Sequence, residues 1–227
     1  MQAAIKTAQA TIQWDRSTTP GMKADIQLLQ KREEVGQLLV EYRVKVSGAP
    51  HDQSYTLMAW PVTVRSPVTF MDGLAIAQDG TIGCPATSTG SCAQRIKGGE
   101  LRLTYRAAKG EIFRHALVSA DQKSRIFFSI VPDPIQASDK SCSLEVMRLS
   151  PHFELVLVRG HGFTPQEDMS FHEQSYQEIH DLTVKADDQS EFQAPLTPSV
   201  KGRTSGTANV TVTGKACAPT VSFDWGQ

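Results

Sequence analysis

Short runs of β-branched and aromatic residues, each followed by a cluster of turn-forming residues, recur along the whole chain and constrain its fold most. The last run is the clearest, because Val221, Phe223 and Trp225 occupy alternate positions. A period of two is typical of a strand that buries one of its faces. Seven such candidate strands lie between residues 142 and 226, and so many short strands in one segment predict a β-sandwich.

The first part of the chain shows the same pattern. Val40, Tyr42, Val44 and Val46 alternate with charged residues, and further strand-like runs follow as far as residue 132. About eight strands at regular spacing predict another sandwich. Residues 22–39 stay ambiguous, since their apolar residues fit both a hairpin that turns near "EEVG" and a helical stripe; we favour the hairpin.

A composition typical of a domain boundary lies at residues 132–141, where two prolines and two aspartates stand among small polar residues. The sequence therefore predicts an all-β protein of two tandem β-sandwich domains. We place the first at residues 1–133 and the second, which we expect to be immunoglobulin-like, at residues 138–227. The short linker predicts that the two domains hold a fixed pairing.

Charge and hydropathy exclude several classes of partner. The 23 basic and 24 acidic residues give a formal net charge of −1, and no long block of like charge occurs. This balance argues against nucleic acid or an anionic membrane surface as the main partner. No apolar run approaches the roughly 18 residues that a transmembrane helix needs. We also expect no cofactor.

The four cysteines are the firmest indication of the compartment. An even number without a C-x-x-C pair favours disulfides over zinc. A Cys84–Cys92 bridge would fix a short polar loop, and a Cys142–Cys217 bridge would close nearly the whole second domain. Disulfides indicate an oxidising compartment. The alternative is four buried thiols in a cytosolic protein.

The N-terminal segment "MQAAIKTAQATIQW" has no apolar core of the kind that a signal peptide needs. With the disulfides in view, we expect an extracytoplasmic protein (periplasmic, secreted or on the cell surface) whose signal peptide is missing from this sequence.

The segment "GHGFTPQED" at residues 160–168 resembles the G-x-G-F-x-P-x-E opening of immunoglobulin-like modules in bacterial surface and secreted proteins. The resemblance extends over roughly residues 153–227, and the family's usual glycine after Pro165 is Gln166 here. It implies a fold and no particular activity, because such modules serve as spacers, adhesins and binding domains alike.

The same segment is too short for a dinucleotide fingerprint, and a proline rather than a helix follows it. We expect Gly160 and Gly162 to allow a bend with positive φ. Phe163 is then predicted to enter the core, Pro165 to begin a turn, and His161 to point outward.

No histidine spacing matches H-E-x-x-H or a Cys/His zinc pattern, so we predict no metal site. The weak candidates are His172, Glu178 and His180, which would need His161 or His152 to approach in the fold.

The sequence supports nucleophilic catalysis no better than it supports a metal site. There is no G-x-S-x-G elbow, and Ser119 and Asp121 lie on the same strand and turn as His115. A single strand cannot bring the three side chains of a catalytic triad together, because alternate residues point to opposite faces. We expect no enzyme activity; a hydrolase with an unrecognised site is the minor alternative.

Aromatic side chains are the remaining candidates for ligand contact, because an exposed ring can stack on a sugar. Trp60 and Trp225 fit core positions, whereas Trp14 lies in a loosely patterned arm and is expected to be exposed. The sequence thus predicts a non-catalytic extracytoplasmic module that contacts protein or glycan partners. The alternative is a carbohydrate or small-molecule binder that uses a groove between the domains.

Overall fold

The described part of the chain consists mostly of sixteen strands in four sheets. The computed structural model describes residues 2–34, 37–64, 66–88, 90–96, 99–150 and 154–226. The predicted all-β class with two sandwiches is confirmed. By internal contacts, the first sandwich comprises Ala10–Ala108 and Ile112–Pro132. The second comprises Met1–Gln9, Lys109–Glu111 and Asp133–Gln227.

Helix α1 spans Gln2–Trp14 and is followed by one 3₁₀ turn, Asp15–Ser17. Helix α2 (Ser91–Arg95) lies between the fifth and sixth strands. The strands of the first sandwich are β1 (Lys23–Glu34), β2 (Gln37–Ser47), β3 (Tyr55–Trp60), β4 (Val68–Ile76), β5 (Ile82–Gly83), β6 (Arg102–Ala107), β7 (Phe113–Ser119) and β8 (Arg125–Ile130). Those of the second are β9 (Ile135–Asp139), β10 (Cys142–Arg148), β11 (Val156–His161), β12 (Asp168–Ser175), β13 (Glu178–Lys185), β14 (Phe192–Leu196), β15 (Gly206–Thr213) and β16 (Thr220–Trp225).

The hairpin predicted for residues 22–39 is present, since β1 and β2 pair antiparallel from Lys23↔Ser47 to Glu34↔Gln37. Residues 35 and 36 of the predicted turn lie outside the described residues. Strand β6 pairs with the other side of β2, which gives the sheet order β1-β2-β6. The alternating valines of β2 are buried, as their period of two predicts.

The second sheet of this sandwich has the order β5-β4-β3-β7-β8. Its inner face packs against the first sheet through a core that includes Leu57, Leu74 and Leu117, which have no exposed surface. The turn "QDG" at residues 78–80 joins β4 to β5, where Gly80 takes a φ of 81° and its N–H donates to the Ala77 carbonyl.

The last residues of α1 cover the outer face of this second sheet. The Trp14 ring lies 5.3 Å from that of Trp60 and 4.7 Å from that of Phe127, between ring centroids. The Arg114 guanidinium stacks on Trp60 at 3.8 Å from the ring centroid, and its Nη1 donates to Thr11 Oγ1 at 2.6 Å. The stacking and hydrogen bonds compensate for the burial of this charge.

In the second sandwich the sheets have the orders β14-β11-β10-β9 and β13-β12-β15-β16. The chain crosses between the sheets after β11, after β13 and after β14. Such a Greek-key order agrees with the immunoglobulin-like arrangement that the resemblance implied. The inner faces enclose one apolar cluster, which includes Val146, Val158, Phe171, Val210 and Val212.

The segment interpreted as a linker contains strand β9, so residues 132–141 are not simply a connection. Ile135 is buried and pairs with Val146 of β10. A short earlier segment also belongs to this sandwich, because the Gly110 N–H donates to the Asp133 carbonyl and its carbonyl accepts from the Arg148 N–H. The long continuous segment of the second unit begins at Asp133, whereas the predicted domain begins at residue 138.

The two glycines of "GHGF" differ in role. Gly162 takes a φ of 77°, and a Cβ there would lie against the Ser141 carbonyl oxygen. Gly160 is a strand residue without positive φ, so that prediction is wrong. Glycine is needed at 160 because the Phe192 ring occupies the space of a Cβ.

No helix among the described residues is long and apolar enough to cross a membrane.

Candidate functional site

The first sandwich contains a pocket of about 230 Å³ between its two sheets, beside strand β6. Strand β6 ends its sheet, so no further described strand fills the space next to it. The walls are mostly apolar, and two polar side chains, Tyr105 and His115, meet inside the sandwich. The lining consists of Ala59, Pro61, Phe70, Arg102, Leu103, Thr104, Tyr105, Phe113, Arg114 and His115.

A hydrogen bond between Tyr105 and His115 joins the two sheets at this pocket. The Tyr105 hydroxyl lies 2.7 Å from His115 Nε2. Tyr105 also stacks on Phe113, with 4.1 Å between ring centroids, and His115 stacks on Phe128 at 5.3 Å. Aromatic rings thus fix the orientation of both polar groups.

Burial keeps both groups of this pair neutral. It lowers the pKa of His115 to about 4, and the Met58 backbone opposes the shift only in part. Burial also raises the pKa of Tyr105, so the phenol keeps its proton. Either group can then donate in the Tyr105–His115 hydrogen bond, depending on the histidine tautomer. Nδ1 of His115 is a buried atom that lacks a hydrogen-bond partner of good geometry among the described residues.

Exposed apolar side chains lie at the pocket and in the adjoining chain. Val68 and Phe70, on the same side of β4, are 45% and 41% exposed, and Val64 in the preceding turn is 36% exposed. We call these three residues the Phe70 patch. The Arg95 guanidinium lies 5.3 Å from the centroid of the Phe70 ring. Exposed apolar patches of this kind mark interaction surfaces.

Strand β6 carries only basic charge along its solvent-facing side. Its inward residues Leu103 and Tyr105 line the pocket, whereas Arg102 and Arg106 point outward with side chains 53% and 64% exposed. The carboxylates that approach these arginines include Glu41 of the central strand β2, 3.0 Å from Arg102, and Glu34 of β1 at the opposite edge of the sheet, 3.7 Å from Arg106.

The weak metal candidates are not gathered into one site. His172 pairs with Asp181 at 2.7 Å, on the outer face of β12. Glu178 and His180 lie opposite Ser175 and Glu173, whose side chains point to the other face. Within the described ranges, no three His, Cys, Asp or Glu side chains form a possible metal site. His152 lies outside these ranges.

A buried carboxyl, Glu173, does lie next to one of these candidates. Its Oε2 is 3.9 Å from His180 Nε2, and burial raises the pKa of Glu173. Glu173 and His180 are only two possible ligands, so we interpret their contact as a local polar interaction of the second sandwich.

The expectation of an exposed Trp14 is wrong. Its side chain is 7% exposed because the helix places it against the outer face of the sheet, and its Nε1 donates to the His115 carbonyl at 3.1 Å. The stacking face proposed for a sugar is therefore occupied by protein. Trp60 and Trp225 are core residues, as predicted.

Ser119 and His115 have different partners. The Ser119 hydroxyl donates to Asp121 Oδ1 at 2.6 Å, and Asp121 also accepts from the Lys123 N–H, which closes the turn after β7. These hydrogen bonds lower the pKa of Asp121, that from Ser119 most. His115 instead contacts Tyr105.

The "GHGFTPQED" segment forms a closed loop of the second sandwich. Phe163 is buried, and the Glu167 carboxylate accepts from the backbone N–H groups of Thr164 and Lys215. Burial acts to raise the pKa of Glu167, but these hydrogen bonds hold it below its usual value. His161 pairs through Nδ1 with Glu191 at 2.9 Å.

Both predicted disulfides are present. Cys84–Cys92 closes the polar loop before α2, and Cys142–Cys217 joins the start of β10 to the segment before β16.

No family model and no curated protein matches the chain. Among solved structures, a DUF3823 family protein from Bacteroides ovatus is 11% identical, with 90% of this chain and 99% of that chain covered and a TM-score of 0.27. A 1.5-MDa bacterial ice-binding adhesin is 10% identical (92% and 65% covered, TM-score 0.25). Red sea bream transglutaminase is 8% identical (87% and 29% covered, TM-score 0.24). TM-scores this low carry no argument about function.

Sequence reasoning missed the pocket. Its lining comes from strands β3, β4, β6 and β7, so no local pattern contains it. One signal was available: Val68 and Phe70 occupy alternate positions in "PVTFMDG", which is typical of a strand with an apolar face.

Proposed function

We propose that this protein is a non-catalytic binding module of an extracytoplasmic compartment and that its first sandwich contacts a protein partner through the Phe70 patch and the adjoining pocket. The observation that carries the proposal is an exposed aromatic residue, Phe70, that also lines an apolar pocket. Exposed aromatics beside a pocket are typical anchors of protein interfaces.

The cysteines support an extracytoplasmic compartment. All four are in disulfides. Disulfides persist in oxidising environments and are rare in the cytosol. The likeness of residues 160–168 to modules of bacterial surface and secreted proteins supports the same assignment.

A protein partner fits the pocket better than a glycan. Sugar recognition requires several polar groups that converge on hydroxyls. The walls of this pocket are mostly apolar, and Tyr105 and His115 hydrogen-bond to each other. A small apolar molecule is the second candidate. A cavity of about 150 Å³ lined by apolar residues is known to hold benzene, and the present pocket is larger.

Site-specific photo-crosslinking tests the proposal. We place a benzophenone amino acid at position 70 and, as a control, at position 28, because Leu28 is also exposed in the first sandwich, at 49%. Crosslinking is carried out in the secreting host. We expect one defined protein adduct from position 70 that is absent from position 28 and is lost when Val68→Ser is introduced. Equal adducts from both positions, or none from position 70, would contradict the proposal.

A further inference from the structure

We infer that the partner binds by adding an extended strand to the outer edge of β6 and by placing one large apolar side chain in the pocket. This inference rests on the proposed function. It specifies the partner segment as an extended peptide with apolar residues at alternate positions and acidic residues between them.

The first ground is the edge itself. Strand β6 pairs with β2 from Arg43↔Arg102 to Leu38↔Ala107. On its other side, no strand among the residues that the structure describes pairs with it. A strand at the end of a sheet presents backbone N–H and C=O groups that can pair with an incoming peptide.

The second ground is the alternation of side chains along β6. An added strand continues the sheet, so its residues on one face lie beside Leu103 and Tyr105, at the pocket. Those on the other face lie beside Arg102 and Arg106, which are more than half exposed. Opposite charges across neighbouring strands are favourable and like charges are not. The incoming peptide is therefore apolar on one face and acidic on the other.

The third ground is the size and chemistry of the pocket. Its volume of about 230 Å³ exceeds that of a cavity that holds benzene. A phenylalanine side chain fits such a space, whereas alanine leaves most of it unfilled. The ring would lie among Leu103, Phe113 and Phe70, an environment of apolar and aromatic contacts.

The test uses the full-length oxidised protein and a synthetic peptide, acetyl-Glu-Val-Glu-Phe-Glu-Val-Glu-amide. Binding is followed by calorimetry and by amide chemical shifts. We expect shift changes at residues 102–107 and at the lining residues of β3 and β4. Replacement of the peptide phenylalanine by alanine should weaken binding by roughly tenfold or more, and replacement of its glutamates by lysines should abolish it.

Two N-methylated peptides distinguish strand addition from simple side-chain insertion. One is methylated on the glutamates and the other on the apolar residues. Since the backbone N–H groups of alternate residues point to the same side of a strand, one methylated peptide should lose binding and the other should keep it. Equal binding of both would overturn strand addition.

A charge variant of the protein provides an independent readout. Arg106→Glu reverses an exposed charge of β6 and should weaken binding several-fold, whereas Lys123→Glu, in the turn at the far end of β7, should not change it. Equal effects of the two variants would overturn the assignment of β6.

The outcomes also separate this inference from the proposed function. If no peptide binds but the crosslink from position 70 persists, strand addition is wrong and the binding surface stands. If neither peptide binding nor the crosslink from position 70 is observed, the assignment of the Phe70 patch and pocket as the binding surface is wrong. A dimer of the protein alone that Arg106→Glu dissociates would identify the occupant as a second copy and would overturn the acidic partner segment.

Discussion

Phe163 and His161 stand two residues apart in one loop but contribute very differently to stability. The Phe163 ring lies in the core, 5.6 Å from that of Phe192 between centroids. His161 and its partner Glu191 have side chains 38% and 36% exposed. Phe163→Ala should therefore lower the free energy of unfolding by about 3–5 kcal/mol.

His161→Ala should cost well under about 1 kcal/mol, because exposed ion pairs contribute little. Urea unfolding of the two variants, followed by tryptophan fluorescence, measures both values. A larger loss from His161→Ala would give that histidine a role that its position does not explain.

Single residues also show what sequence alone could reveal at this scale. Phe163 was predicted to be buried because an aromatic residue after a flexible glycine commonly enters a core. The need for glycine at 160 was not visible, since the ring that fills its space belongs to Phe192, far along the chain. Gln166 stands where the modules that residues 160–168 resemble usually have glycine, and its φ of 59° is a backbone conformation that glycine adopts more easily.

Among the elements, the disulfide between Cys142 and Cys217 closes the larger loop, with a sequence separation of 75 against 8 for Cys84–Cys92. By loop-closure entropy, closing the long loop stabilises the fold by about 4.5 kcal/mol and closing the short loop by about 2.5 kcal/mol. Cys142→Ser with Cys217→Ser should therefore destabilise its sandwich more than Cys84→Ser with Cys92→Ser destabilises the first. Calorimetry of the two double variants measures this, and the opposite order would contradict it.

Strands were predicted better than the helix or the short linking strand. The pattern of period two predicted strands at residues 40–46 and 221–225, which lie within β2 and β16. Helix α1 was missed because its segment has no clear apolar stripe, although its alanines and glutamines favour a helix. Strand β9 was missed because its neighbours Pro132 and Pro134 are typical of loops, while Ile135 is its sole large apolar residue.

For the molecule as a whole, the buried His115 predicts how the first sandwich responds to pH. Its pKa is about 4 in the folded protein and 6.5 in the unfolded chain, so between these values the unfolded state binds more protons. Stability therefore rises with pH in this window and is lost as pH falls from about 6.5 to about 4, by about 3 kcal/mol in full.

His115→Gln removes this titration but can still hydrogen-bond to Tyr105. We expect the variant to lose less stability than the original protein between pH 7 and pH 4.5, as measured by urea unfolding at both values. Equal losses would show that His115 does not govern the acid response.

The pocket with its Tyr105–His115 contact could not be predicted from the sequence, because it depends on the tertiary fold. Tyr105 and His115 come from different sheets, and their contact depends on how β6 and β7 pack across the sandwich. No sequence pattern within β6 or β7 indicates that Tyr105 contacts His115. Their burial and pairing follow from the tertiary arrangement alone.

The long disulfide has a mechanical consequence. When the second sandwich is pulled by its two ends, tension passes through the Cys142–Cys217 bond and bypasses the chain between them. Roughly 260 Å of extended chain is thereby withheld from stretching. Only the short segments outside the loop, which include β9 and β16, can be peeled away. Under load the module lengthens little, and most of its strands stay folded.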